Sequence, residues 1–173
     1  MQPSKFLLIM AFVVAPFALV ACDKSKDAAS ADAAAADAPA PAVVMPTDPN
    51  DTAGWKKYLG DVVMKNMEGV KSNRPYMYYI PAGADDKAIT DRANQLENVQ
   101  GVVGRGVLPG NMMAFGGPDS TATADFVVES FSVAAANSFK DVVVLVVAKP
   151  EDSARVSEAL APSGAIIRMA AMQ

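Results

Sequence analysis

The stretch DVVVLVVAK, Asp141–Lys149, decides the fold of this chain. It contains six consecutive large aliphatic residues, Val142 to Val147, a pattern typical of a strand that is buried on both faces of a sheet. A helical pattern follows from Pro150 to Ala161, and Gly164 supplies the turn before a second strand at Ala165–Ala170. A strand, a helix and a strand in succession predict a right-handed βαβ unit with parallel strands.

The same alternation continues toward the N-terminus. Helices are predicted from Asp51 or Thr52 to about Val70, from Asp85 or Asp86 onward, and after Gly116–Ser120; strands are predicted at Tyr76–Ile80 and Met112–Phe115. Pro109-Gly110 suits the centre of a type II turn and predicts a hairpin, and the glycines at 101, 104 and 106 are compatible with a bulged strand edge. The overall prediction is one α/β domain over residues 51–173, with helices packed on a four- or five-stranded, mostly parallel sheet.

The N-terminal segment has the features of an export signal. One lysine precedes Phe6–Val20, a run without charged residues, and a helix of that length covers about 22 Å, which is short of the hydrocarbon core of a membrane. The run ends in Leu19-Val20-Ala21-Cys22, which resembles the lipobox of bacterial lipoproteins. The resemblance implies that a diacylglyceryl group is attached to the Cys22 sulfur and that the leader, residues 1–21, is removed. The alternative is a conventional signal peptide that ends near Ala21, followed by a chance cysteine.

Residues 22–50 are predicted to be a disordered tether between the lipid and the domain. The segment is rich in Ala, Asp and Pro and has no aromatic residue, so it cannot bury enough apolar surface to offset its chain entropy. Asp23, Lys24 and Ser25 follow the lipidated cysteine and resemble the signals that retain lipoproteins in the inner membrane. The expected location is therefore the periplasmic face of the inner membrane rather than the outer membrane.

Composition excludes several kinds of chemistry. The chain has no histidine and a single cysteine, so it has no Ser-His triad, no disulfide and no zinc site of the usual kinds. The net charge of −4 and the scattered basic residues disfavour nucleic acid as a partner, and no cofactor or metal is expected. An enzyme would have to work with carboxylates, Tyr, Lys, Arg or Ser alone. The enzyme alternative is a carboxylate-based one, with Asp85, Asp86 and Asp119 meeting at the ends of the strands.

FGGPDST, residues 115–121, is the best local candidate for a binding site. Two glycines between a strand and a helix leave free N–H groups at the positive end of the helix dipole, which suits a small anion. The candidate anion-binding residues are Gly116, Gly117, Asp119, Ser120 and Thr121. The alternative is an ordinary Gly-Gly turn in which Asp119 or Ser120 caps the helix.

Two further side-chain groups are assigned mainly to packing. Met64, Met67 and the pair Met112-Met113 are expected in the core, and strand alternation places Tyr76 and Tyr78 on one face and Tyr79 on the other. The sequence thus favours a membrane-anchored, non-catalytic binding or interaction module of the cell envelope, with an envelope protein as a candidate partner. The alternatives are a carboxylate-based hydrolase or transferase and a small-anion-binding protein.

Overall fold

The computed structural model describes residues 43–172, which alternate between helices and strands. Its elements are α1 (Thr52–Lys65), β1 (Tyr76–Tyr79), α2 (Asp86–Arg105), β2 (Met112–Gly116), α3 (Ser120–Phe131), β3 (Val143–Ala148), α4 (Pro150–Leu160), a short 3-10 helix (Ala161–Ser163) and β4 (Ile166–Ala171). The predicted leader, Cys22 and the tether up to residue 42 lie outside the described residues. Within the described range, no helix is long and apolar enough to cross a membrane.

The strands form one four-stranded sheet in the order β1-β2-β3-β4, and every neighbouring pair is parallel. The predicted α/β fold is therefore confirmed. The hairpin predicted at Pro109-Gly110 is wrong, because β1, α2 and β2 form a crossover with parallel strands. The turn instead ties the amino ends of the strands together: Gly110 has a φ of 82°, and its N–H donates to the Asp141 carbonyl at 2.7 Å.

The reading of the glycine-rich stretch as a strand edge is also wrong, since Gly101 and Gly104 lie inside α2. Val99 and Val103 are buried on the inner face of this helix and hold it in place despite the two glycines. Gly106 is the C-cap of the helix, and its φ of 76° is a backbone conformation that residues other than glycine rarely adopt.

Two apolar cores lie on opposite faces of the sheet, because successive strand residues point to opposite sides. Phe115 and Val144 belong to the core beneath α2, α3 and α4. Ala114 and Leu145 belong to the core beneath α1. Both faces of β3 are thereby covered, as its aliphatic run predicts, and every residue of that strand is buried.

The packed part of the chain begins before the predicted boundary at residue 51. Val43 and Met45 pack against the α1 core, and the indole N–H of Trp55 donates to the Asp48 carbonyl at 3.0 Å. The last residues assigned to the tether therefore contact the domain.

β4 is an edge strand of the sheet, and its Arg168 side chain joins the strand to α1. Its guanidinium donates to the carbonyl of Asn66 and, at 2.7 Å, to that of Glu68. Both carbonyls belong to the chain that leaves the C-terminal end of α1, so Arg168 fixes the open end of the sheet against this helix.

Candidate functional site

The loops that follow β1, β2 and β3 lie at the carboxyl ends of the strands, where open α/β sheets commonly bind ligands. The predicted anion-binding residues are in the second of these loops, residues 116–121, called here the 116–121 turn. Asp119 is the N-cap of α3, and its carboxylate accepts a hydrogen bond from the Ala122 N–H at 3.0 Å. The side chain of Asp119 therefore performs the capping role that the alternative interpretation gives it.

Packing explains both glycines of this turn. A Cβ on Gly117 would lie 2.0 Å from the Ile80 carbonyl oxygen, so the backbones after β1 and β2 touch at this point. A Cβ on Gly116 would lie 3.0 Å from Leu59 Cδ1 and 3.2 Å from Val147 Cβ. The glycines are needed for close contact between elements, whether or not a ligand binds beside them.

Ser120 takes part in a buried polar network that the sequence does not reveal. Its hydroxyl donates to Asp152 Oδ2 at 2.5 Å and accepts from the Lys149 N–H at 2.7 Å, which joins the start of α3 to the start of α4. Arg155 donates to Asp152 Oδ1 and, at 2.5 Å, to Asp125 on α3. Ser120 is only 5% exposed, and its hydroxyl both donates and accepts a hydrogen bond within the network, so it serves to hold the two helix starts together.

The pKa values of Asp152 and Arg155, the two oppositely charged residues at the centre of this network, are shifted in the directions that favour their ionised forms. The hydrogen bond from Ser120, together with Arg155, lowers the pKa of Asp152 despite the burial of this carboxylate. The hydrogen bonds to Asp125 and Asp152 raise the pKa of Arg155. The ionised forms are therefore favoured, and the network is an ion pair at neutral pH.

A shallow pocket of about 330 Å³ lies beside the 116–121 turn, lined by Pro49, Ala82, Pro118, Asp119, Ser120, Thr121 and Lys149. The exposed Lys149 side chain is its basic group, and Thr121 is an exposed hydroxyl. Of the predicted anion-binding residues, Asp119, Ser120 and Thr121 line this pocket, while Gly116 and Gly117 lie buried behind it.

The three carboxylates considered for catalysis have separate surroundings. Asp85 caps α2 by accepting from the Ala88 N–H at 3.0 Å, and this bond lowers the pKa of Asp85. Asp86 is exposed in the first turn of α2. The pocket that Asp119 lines includes neither of them. Among residues 43–172, no group of three or more metal-ligating side chains is placed to hold a metal ion.

A deeper groove of about 610 Å³ runs along β1 and is called here the β1 groove. Its walls come from α1, from β1 and the loop after it, and from α2; the lining residues are Thr52, Lys56, Leu59, Met77, Tyr79, Pro81, Lys87, Asp91 and Gln95. The α2 members recur every fourth residue, so they form one stripe on that helix. Sequence reasoning missed this groove because its members come from three elements that are separate in the chain.

The tyrosines and methionines largely follow their predicted places. Tyr78 stacks on Phe115 at a centroid distance of 5.0 Å, and Tyr79 packs against the core on the opposite face, which confirms the alternation. Burial and the neighbouring Tyr76 raise the pKa of Tyr78. Met112 and Met113 are fully buried and Met67 is partly buried, but the prediction for Met64 is wrong, because this side chain is 70% exposed on α1.

The chain matches no known protein-family model, no curated protein and no solved structure.

Proposed function

We propose that this chain is a lipoprotein, anchored through Cys22 to the periplasmic face of a bacterial membrane, whose domain is a non-catalytic module that binds another envelope component. Support for the anchor comes from the residues that precede Cys22, Leu19-Val20-Ala21. Asp23, Lys24 and Ser25 favour the inner membrane over the outer one. Two or three acyl chains would make detachment negligible, since each buried CH₂ contributes about 0.8 kcal/mol.

Replacing Cys22 by serine tests the anchor. The Cys22→Ser protein should remain uncleaved or be exported in soluble form, and it should lose labelling by radioactive palmitate. Ser30→Ala is the control, because it leaves both Cys22 and the three residues after it in place. Unchanged membrane fractionation and labelling of Cys22→Ser would refute lipidation at this position.

The β1 groove is the observation that favours a binding role. It places the half-exposed Met77 side chain beside Tyr79 at an open edge of the sheet, and Met77 is 52% exposed. A large apolar side chain that is exposed in a groove with polar walls is typical of an interaction site.

Site-specific photo-crosslinking in intact cells tests this role. A photoreactive amino acid in place of Met77 should give a discrete crosslinked adduct, whereas the same amino acid in place of Met64 should not. Met64 is a matched control because it is exposed on α1 but does not line the groove. Lys56→Glu, introduced together with the Met77 probe, should abolish the adduct. Equal adducts from both positions, or none from Met77, would contradict binding through the groove.

A small anion at the 116–121 turn is the second candidate, and Lys149 favours it because this basic residue lines the pocket beside the turn. Calorimetry with inorganic phosphate, sulfate and acetate tests this site. If an anion binds there, Gly116→Val and Lys149→Gln should each abolish the heat of binding. No heat from the unmodified protein would remove the site.

A carboxylate-based hydrolase or transferase has weaker support. The carboxylates of Asp85 and Asp119 each accept a capping hydrogen bond from a backbone N–H, which accounts for their positions without a substrate.

A further inference from the structure

The outer edge of β1 carries backbone groups that are free to pair with another chain. Among the described residues, β1 pairs with β2 alone. The Ile80 N–H donates to the Gly116 carbonyl at 2.9 Å, so the backbone groups of Tyr78 and Tyr76, which alternate with it, also point toward β2. The N–H and C=O groups of Met77 and Tyr79 therefore point away from the sheet, into the region that the groove borders.

The groove gives this edge a shape that fits an extended segment. An added strand would lie about 4.8 Å from β1 and would follow it for about 13 Å, the length of four residues. Met77 and Tyr79 both line the groove, so a segment paired with the edge would contact their side chains as well. Strand addition of this kind gains affinity from main-chain hydrogen bonds and specificity from contacts to alternate side chains.

The net positive charge of the groove favours a segment with an acidic side chain. The groove contains two lysines and one aspartate, and Lys87 is paired with Asp91 at 2.5 Å. Lys56 is in none of the ion pairs of residues 43–172; its ammonium lies 5.6 Å from the centroid of the Tyr79 ring. The groove thus has an uncompensated positive charge on a chain whose net charge is −4. A carboxylate on the added strand would pair with Lys56.

The same charge argues against a second copy of this chain as the occupant. A two-fold axis at the β1 edge that brings the Lys56 side chains of the two copies to one junction would place like charges together, and like charges at an interface oppose association. Tyr76 and Met77 are the exposed large apolar residues of the strand, which suits pairing with apolar side chains of a different chain.

We propose that the β1 groove binds an extended polypeptide segment bearing at least one carboxylate, which adds to the sheet as a strand beside β1 and pairs its acidic side chain with Lys56. This inference rests on the proposed function and specifies its partner class.

Selection from a random library of peptides of about ten residues, displayed on phage and applied to the purified full-length protein in detergent, tests the proposal. The selected peptides should alternate apolar and acidic residues. Lys56→Glu should weaken their binding by about tenfold or more, while Lys57→Glu should change it by less than about twofold. Lys57 is a matched control because it is the neighbouring exposed lysine on α1 and does not line the groove.

Backbone pairing is tested separately. Met77→Pro removes an N–H that points away from β2, a position at which edge strands tolerate proline, and it should abolish binding; Met77→Ala keeps the N–H and should retain most of it. Should Met77→Pro fail to fold, the same test can be made with the unmodified protein and two N-methylated forms of a selected peptide. One form is methylated at the odd-numbered amides and the other at the even-numbered amides, and one of the two should not bind.

Four outcomes would overturn the proposal. The first is that no peptides are selected, and the second is that the selected peptides lack acidic residues or bind the Lys56→Glu protein equally well. The third is a constitutive dimer that Met77→Pro dissociates. The fourth is peptide binding that rises about tenfold when residues 23–42 are deleted. The third would identify a second copy as the occupant, and the fourth the chain's own tether. A Met77 crosslink to another envelope component, obtained together with either of the first two outcomes, would leave the proposed binding function standing, whereas absence of that crosslink would remove the function itself.

Discussion

Gly117→Ala is expected to destabilise the domain strongly, because the added Cβ would lie 2.0 Å from the Ile80 carbonyl oxygen. The obstacle is backbone rather than a flexible side chain, and Ile80 is itself only 1% exposed. The chain after β1 must therefore move away from β2, which strains or breaks the bond from the Ile80 N–H to the Gly116 carbonyl.

The expected loss combines two terms. Overpacking a filled interior costs about 1–3 kcal/mol, and a lost backbone hydrogen bond costs about 1 kcal/mol more. We therefore expect the free energy of unfolding to fall by about 3 kcal/mol, which corresponds to a melting temperature lower by roughly 10 °C. Gly60→Ala is the control, since Gly60 lies inside α1 and a Cβ there meets no atom within 4 Å. Ala in place of this glycine should stabilise the protein by about 0.5–1 kcal/mol.

Urea unfolding followed by the fluorescence of the single tryptophan, Trp55, measures both changes, because this side chain is 4% exposed in the folded domain. Opposite signs for the two substitutions are the expected result. A Gly117→Ala protein as stable as the unmodified one would refute the packing explanation, and loss of anion binding without loss of stability would show that Gly117 serves a ligand.

Three further predictions concern Asp152 and Arg168, whose side chains join separate elements of the fold. Asp152→Ala should lower the free energy of unfolding by about 2–3 kcal/mol, because it leaves the buried Ser120 hydroxyl without its charged acceptor. Asp152→Asn should lower it by less. Equal stability of the unmodified protein and both variants in urea would contradict the network. The pKa of Asp152 is lower in the folded protein than in the unfolded chain, so its contribution is complete above about pH 4 and is lost as the pH falls through the folded pKa. Unfolding measured from about pH 6 to pH 2 should show a decline that is smaller in Asp152→Asn, and identical profiles would count against the assignment. Arg168→Ala should lower stability by about 1–2 kcal/mol and speed amide exchange at the C-terminal end of α1, while an unchanged exchange rate there would show that Arg168 does not fix this helix.

Local chemistry accounts for the parts of the fold that the sequence predicts. The aliphatic run predicts β3 correctly because both faces of that strand are buried. The acidic residues before α2 and α3 predict the starts of these helices because an N-cap needs only one side chain and the N–H groups nearby. The hairpin prediction failed for a related reason. A Pro-Gly turn specifies the conformation of only a few residues, and it leaves open whether the element before it is a strand or, as here, the helix α2.

The features that the sequence does not reveal depend on contacts between distant residues. Ser120 and Asp152 are 32 positions apart, and each has an ordinary local role as a residue near a helix start. From the sequence alone, Gly117 is interpreted as part of a flexible or anion-binding turn, because its close contact with Ile80 is not visible there. The β1 groove is assembled from three elements, so no short motif marks it.

The amide exchange rates of Met77 and Tyr79, measured by NMR with and without a selected acidic peptide, test the central claim most directly. Binding of an extended segment at the β1 groove predicts that both amides become strongly protected, because each gains a hydrogen-bond partner from the added strand. The amides of Gly117 and of residues 119–121 should exchange as before. Protection confined to residues 117–121, or unchanged exchange at Met77 and Tyr79 under saturating peptide, would contradict it.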